Sequence, residues 1–151
     1  MATPPEFRSE FEGPGDSPGY LMWQISRAWQ RGQDRVLREF ELTQMQFAVL
    51  AHLVYLLCEK EPVSQQDLAD YAGIEKMQMS QVLKLMESRD LIQRKRQPGM
   101  GRALAVVPTT KGRQKLKKAL PAVEAFDLEF FYGQDRNADL NRLAGLLNPD
   151  L

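Results

Sequence analysis

Apolar side chains first recur at helical spacing. Tyr20, Leu21, Ile25, Ala28, Trp29, Val36, Leu37 and Phe40 form one stripe, predicting a helix from Pro18 to about Phe40. Ser17 stands at its cap position and Pro18 at its first helical position. Two more starts are signalled by capping boxes, Thr43 with Gln46 and Ser64 with Asp67. Leu42 with Phe47, and Val63 with Leu68, add the flanking apolar contacts of a hydrophobic staple. The helix after Thr43 is apolar nearly all round, which predicts a central buried position. The helix after Ser64 is short and ends at Gly73; the next runs from about Glu75 to Ser88. Leu91 to Gln97 and Ala103 to Val107 then read as two strands around the turn Pro98-Gly99-Met100-Gly101-Arg102. Thr109 or Thr110 caps a long helix that Pro121 is expected to kink and Gly133 to end. A last helix is expected from about Ala138 to Leu147, with Leu140, Leu143 and Leu147 on one side. Residues 1–17 are rich in Pro and Gly, with few apolar side chains, and read as a flexible arm until a partner orders it.

The resulting fold class is mainly α with a small β-hairpin wing. Within it, residues from Gln65 onward fit a helix-turn-helix. Leu68 and Ala69 are apolar or small where two helices cross, Ala72 precedes the turn, and Gly73 makes it. Ile74, Met79 and Val82 face inward on the second helix of the unit. Seven such matches followed by a hairpin with a basic tip point to a winged helix.

Charge sharpens this picture. The 151-residue chain is neutral overall, but Lys76 to Lys118 holds 12 of the 20 Lys and Arg residues and only two acids, Glu87 and Asp90. The window carries +10, residues 1–75 carry −6, and residues 119–151 carry −4. A basic middle between acidic ends is the footprint of a surface for a polyanion. At 100° per residue, Met77, Gln81 and Lys84 point away from the core, flanked by Gln78 and Ser80. Met77, Gln78, Ser80 and Gln81 are the candidates for reading bases of double-stranded DNA in the major groove, since Gln pairs in two places with adenine and Met touches a thymine methyl. Lys76 and Lys84 are candidates for phosphates, as are the Ser64 hydroxyl and the first N–H groups of Gln65 and Gln66. Arg102 at the hairpin tip suits a narrow minor groove. Arg94, Lys95 and Arg96 on the first strand either join it or form a solvated strand face. Lys111, Arg113, Lys115, Lys117 and Lys118 read mostly as a solvated helix face.

Other classes are weakened by what the chain lacks. One His and one Cys offer no His/Cys metal cluster and no evident Cys–His pair, and there is no glycine-rich phosphate loop, so no enzyme is expected and no cofactor or metal. The single Cys58 cannot form an intramolecular disulfide, which fits a reducing compartment. The longest apolar run, Phe47 to Cys58, is 12 residues and too short for a membrane span of about 20. With no secretory signal in evidence, a soluble cytoplasmic protein is expected. Phe126, Phe130, Phe131, Leu140, Leu143, Leu146 and Leu147 are more apolar surface than two terminal helices bury alone. They predict a homodimer, the alternative being that they pack on the first helix of the same chain.

The chain resembles the MarR family of transcription regulators over roughly residues 18–147. The resemblance is carried by the run from Leu42 to Leu50, Gln66-Asp67-Leu68-Ala69, Gly73-Ile74-Glu75-Lys76, Ser80-Gln81-Val82-Leu83, Asp90-Leu91-Ile92 and Thr109-Thr110-Lys111-Gly112. It implies a dimer built from residues 18–40 and 111–151, with a winged helix-turn-helix over residues 41–110. It also implies a repressor that releases DNA on binding a small aromatic or amphipathic effector. Tyr20, Trp23, Trp29, Met45, His52 and Tyr55 are the candidates for that pocket, against the plain alternative that aromatics at helical spacing are core. There are departures: Met100 stands where the family's wing carries an Asp, Pro108 where it carries a Leu, and Gln81 where it often has Arg. Cys58 lies on a different helix from the Cys through which some relatives sense peroxide. The competing function is a winged helix used for protein contact alone, without sequence-specific DNA binding.

Overall fold

Every cap read in the sequence begins a helix in the computed structural model, which describes residues 6–133 together with Asp139, Leu143 and Leu146. Ser17 accepts from the Tyr20 N–H at 3.4 Å ahead of α1 (Pro18–Arg38). The Thr43–Gln46 box opens α2 (Gln44–Glu59), with both reciprocal hydrogen bonds at 3.1 Å. The Ser64–Asp67 box opens α3 (Gln65–Ala72). Glu75 accepts from the Gln78 N–H and caps α4 (Lys76–Ser88). Of the two candidate threonines, Thr109 caps α5 (Thr110–Tyr132), accepting from the Gly112 N–H at 2.9 Å. α5 runs unbroken through Pro121 and is closed by the Gly133 N–H on the Glu129 carbonyl. A single 3-10 turn, Pro14–Asp16, lies in the segment read as a flexible arm. The helix expected from Ala138 lies largely outside the described residues; within it the Leu143 N–H donates to the Asp139 carbonyl at 3.2 Å.

The end of α1 and the limits of both strands differ from the expectation. α1 stops at Arg38 rather than Phe40, because the Leu42 N–H turns back to the Leu37 carbonyl and Glu41 adopts a left-handed φ of 54°. The strands are β1 (Ile92–Lys95) and β2 (Ala105–Pro108), antiparallel, with Ile92 opposite Pro108 and Lys95 opposite Ala105. Beyond Lys95 the backbone is taken into the wing turn, where Gly99 (φ 86°) and Gly101 (φ 59°) occupy the left-handed region glycine favours. β2 also pairs on its other edge. Ser64 bridges to Ala105, and the Val106 N–H donates to the Val63 carbonyl at 2.8 Å.

α2 is the hub, packing against α1, α3, α4, α5 and β2. Val49, Leu50 and Leu53 on it are fully buried, alongside Leu68, Met79, Leu83, Met86, Leu91 and Ile92 from the elements around it. α1 and α5 pack against each other. The Trp29 Nε1–H donates to Asp127 Oδ1 at 2.7 Å, and Gly32 lies against the Phe126 ring. No helix among the described residues is long and apolar enough to cross a membrane.

The Ser64–Asp67 box carries a pH dependence. A hydrogen bond from Lys60 and another from the Ser64 N–H hold the Asp67 carboxyl down from 3.8 to about 2. A depressed folded pKa stabilises the fold above the unfolded value, and that contribution is lost as pH falls through the folded one. Asp67→Asn is therefore expected to cost about 1 kcal/mol at pH 7, the usual worth of a cap. In urea unfolding followed by circular dichroism, the gap to the parent should shrink between about pH 4 and pH 2. A gap independent of pH would show that the charge plays no part.

Candidate nucleic-acid interface

The turn between α3 and α4 is built as the sequence required. Gly73 takes φ 64° and closes α3, the Ile74 N–H donates to the Ala69 carbonyl at 3.0 Å, and Ala69 is buried at the crossing. Burial of Met79, Leu83 and Met86 turns the opposite face of α4 outward. Lys76, Met77, Gln78, Gln81 and Lys84 are exposed there, and Ser80 is half-buried. Met77 keeps 70% of its surface in solvent.

A cleft of about 290 Å³ lies where α3, α4 and the wing meet. Ser64, Gln65, Gln66, Lys76 and Arg94 line it, with Ala103 and Leu104 of the wing. Three segments that are remote in sequence thus place five of the candidate residues around one opening. The Ser64 hydroxyl is not free there, since it donates to Asp67 Oδ2 at 2.8 Å and accepts from the Asp67 N–H. Gln66 reaches along its helix to Asp70 at 2.7 Å. Among the described residues, the Gln65 and Gln66 backbone N–H groups have no acceptor, as expected in the first turn of a helix.

On the wing, Lys95, Arg96 and Arg102 are exposed. Arg94 is not a free cation. Its Nε–H donates to Glu87 Oε2 on α4 at 2.7 Å. On α5, Lys111 donates to the Arg89 carbonyl at 3.2 Å. Lys115 bonds the Phe40 carbonyl at 3.0 Å and Glu41 at 2.9 Å, and this partner holds the Glu41 carboxyl below the usual carboxylate range. Arg89, which sequence reasoning passed over, ties α4 to the α1–α2 corner by donating to Gln46 Oε1 and the Glu41 carbonyl, both at 2.8 Å. None of these pairings has a local sequence signal, because the partners come from different elements.

Among the described residues, the six candidate effector residues are spread over α1 and α2. Tyr20 and Trp23 are exposed on the first half of α1, where the Arg27 guanidinium lies 5.8 Å from the Trp23 ring centroid. Trp29 faces α5 through Asp127. Met45 packs against the core and Tyr55 is exposed. His52 bonds the Ala48 carbonyl through Nδ1 at 2.7 Å and meets Tyr71 edge-on, with ring centroids 5.8 Å apart. Cys58 is exposed, its thiol directed at the Val54 carbonyl.

The sequence model of the MarR family matches residues 40–103, the segment that carries α2, α3, α4, β1 and the wing turn. The uncharacterised HTH-type transcriptional regulator YdcH of Bacillus subtilis (strain 168) is 37% identical over 126 residues, covering 83% of this chain and 86% of that one. Among solved structures, the Mycobacterium tuberculosis transcriptional regulator MosR in complex with DNA is similar in fold, with a TM-score of 0.70, 24% identity and coverage of 87% of this chain and 92% of that one. CouR of Rhodococcus jostii RHA1, bound to p-coumaroyl-CoA, aligns with a TM-score of 0.75, 23% identity and coverage of 91% and 93%. The winged helix-turn-helix architecture, the matched segment and the identity to YdcH agree: this chain belongs to the MarR family of transcriptional regulators, which are not enzymes.

Proposed function

We propose that the protein is a homodimeric, sequence-specific duplex-DNA-binding repressor of the cytoplasm, released from its operator by a small aromatic or amphipathic effector. The observation that carries the DNA reading is the cleft at the junction of α3, α4 and the wing. It sets Lys76, Arg94 and the first turn of α3 beside the outward face of α4. In this reading Met77, Gln78, Ser80 and Gln81 meet base edges in the major groove, while Lys76, Lys84, Arg94 and the Gln65 and Gln66 N–H groups hold phosphates. Arg102 enters the minor groove beside it, with Lys95 and Arg96 along the backbone.

Residues 18–40 and 111–151 form the dimer, residues 41–110 the DNA-binding unit, and residues 1–17 an arm. Exposed Tyr20, Leu21, Trp23 and Ile25 on α1, with Leu128 and Tyr132 on α5, support the dimer, since apolar surface of this kind is seldom left to solvent. Two protomers would read half-sites centred about 10 bp apart on one face of the duplex. An effector site shared between protomers accommodates the spread of Tyr20, Trp23, Trp29, Met45, His52 and Tyr55, and the p-coumaroyl-CoA bound by CouR is of the amphipathic class proposed.

The test is a fluorescence-anisotropy titration against duplex DNA from the gene's own upstream region, with random duplex alongside, at two salt concentrations. Tight, salt-sensitive binding that favours the upstream DNA is expected; no binding to either duplex would overturn the reading. Arg102→Ala is expected to lower affinity and to flatten the slope of log K against log salt by about 1, one phosphate-equivalent contact. An unchanged slope would remove the wing tip from the interface.

A further inference from the structure

The Glu87–Arg94 pair is at odds with simple charge complementarity. Arg94 lines the cleft between α3, α4 and the wing, yet its Nε edge is held at 2.7 Å by a carboxylate on α4. Glu87 is one of only two acids in the +10 window of Lys76 to Lys118. A carboxylate beside a surface that receives phosphates repels them, so by charge alone its removal should tighten DNA binding. The geometry offers a reason for it to be there. Among the described residues, the two terminal nitrogens of Arg94 have no hydrogen-bond partner, and the side chain is only 25% exposed. The guanidinium is therefore gripped on one edge and open on the other. Its planar fork is suited to engaging two oxygens at once, one edge to a carboxylate and the other to a phosphate.

We infer that Glu87 is a positioning residue for DNA binding. It orients Arg94 so that the free edge of the guanidinium faces a backbone phosphate, and it joins β1 to the recognition helix so that wing and helix approach the duplex as one body. Arg94 thereby surrenders its rotamer freedom on folding instead of on binding. The proposal rests on the reading of Arg94 as a phosphate contact, and its test separates the two.

The experiment is a double-mutant cycle in the same anisotropy assay with the upstream duplex, using the parent, Glu87→Gln, Arg94→Ala and the double variant. Thermal melts of all four confirm that each is folded. Glu87→Gln is expected to weaken binding on the order of fivefold, although it removes a negative charge. In the Arg94→Ala background the same change should have no weakening effect, because there is no guanidinium left to orient. Unchanged or tighter binding by Glu87→Gln, with Arg94→Ala weakened, would overturn the positioning role and leave Arg94 as a phosphate contact. Parental affinity in Arg94→Ala would overturn the contact itself and the inference with it. Equal weakening by Glu87→Gln in both backgrounds would show that Glu87 acts through something other than Arg94.

Discussion

Gly112→Ala is expected to destabilise the fold by about 2–3 kcal/mol and to lower the melting temperature by roughly 6–9 °C. Gly112 lies in the first turn of α5, where alanine is ordinarily the better residue by about 1 kcal/mol. Here the added methyl would sit on the Leu91 carbonyl oxygen, within 3.0 Å of the carbonyl carbon and 3.3 Å of Leu50 Cδ2. The obstacle is backbone, so no rotamer change relieves it. Nor can that carbonyl withdraw freely. It accepts the Thr109 N–H at 3.1 Å, and the Thr109 hydroxyl donates to the neighbouring Asp90 carbonyl at 2.6 Å. Moving α5 away therefore loosens the junction with β1, and separating the strand from the helix costs more than the gain in propensity. A circular-dichroism melt decides it; an unchanged or raised melting temperature would mean that α5 shifts without penalty.

Gln81→Ala is expected to weaken binding to the specific site by about 1–3 kcal/mol while leaving affinity for random duplex nearly intact. Gln81 projects from the exposed face of α4, on the opposite side from buried Met79 and Leu83, so truncation leaves the core untouched. A Gln amide can donate to and accept from the major-groove edge of adenine at once, and its loss leaves base groups that had given up water without a partner. Random duplex offers no matching edge and is held by phosphate contacts, which this change spares. Parallel titrations on both duplexes check the outcome. Equal loss on the two would show that Gln81 does not read bases.

The elements were legible in the chain wherever their cause is local. A cap with its partner three residues on, glycine at the α3–α4 turn and an all-apolar α2 each depend on side chains within one or two helical turns. Those signals located all five described helices and the order helix, helix, helix, helix, hairpin, helix. The outward face of α4 was likewise legible, since 100° per residue separates Met77 and Gln81 from Met79 and Leu83 without reference to anything else. The strand limits were not, because β2 is defined as much by Val63 and Ser64 on its outer edge as by its own residues.

Charge divides in the same way. Its sorting along the chain follows from composition alone and pointed to a polyanion surface before any fold was known. Which cations are available to a partner is a different matter, set by pairings that span 7 residues for Arg94 with Glu87, 43 for Arg89 with Gln46 and 74 for Lys115 with Glu41. No periodicity encodes such distances. They exist only once packing on α2 has brought the α1–α2 corner, the end of α4 and the start of α5 together. Local chemistry thus wrote the helices and the sign of the surface. The closing of long loops decided that Arg89, Lys111 and Lys115 bind within the protein while Lys76, Lys84, Lys95, Arg96 and Arg102 face outward, because ion pairs and carbonyl contacts need a proximity that only the folded core supplies.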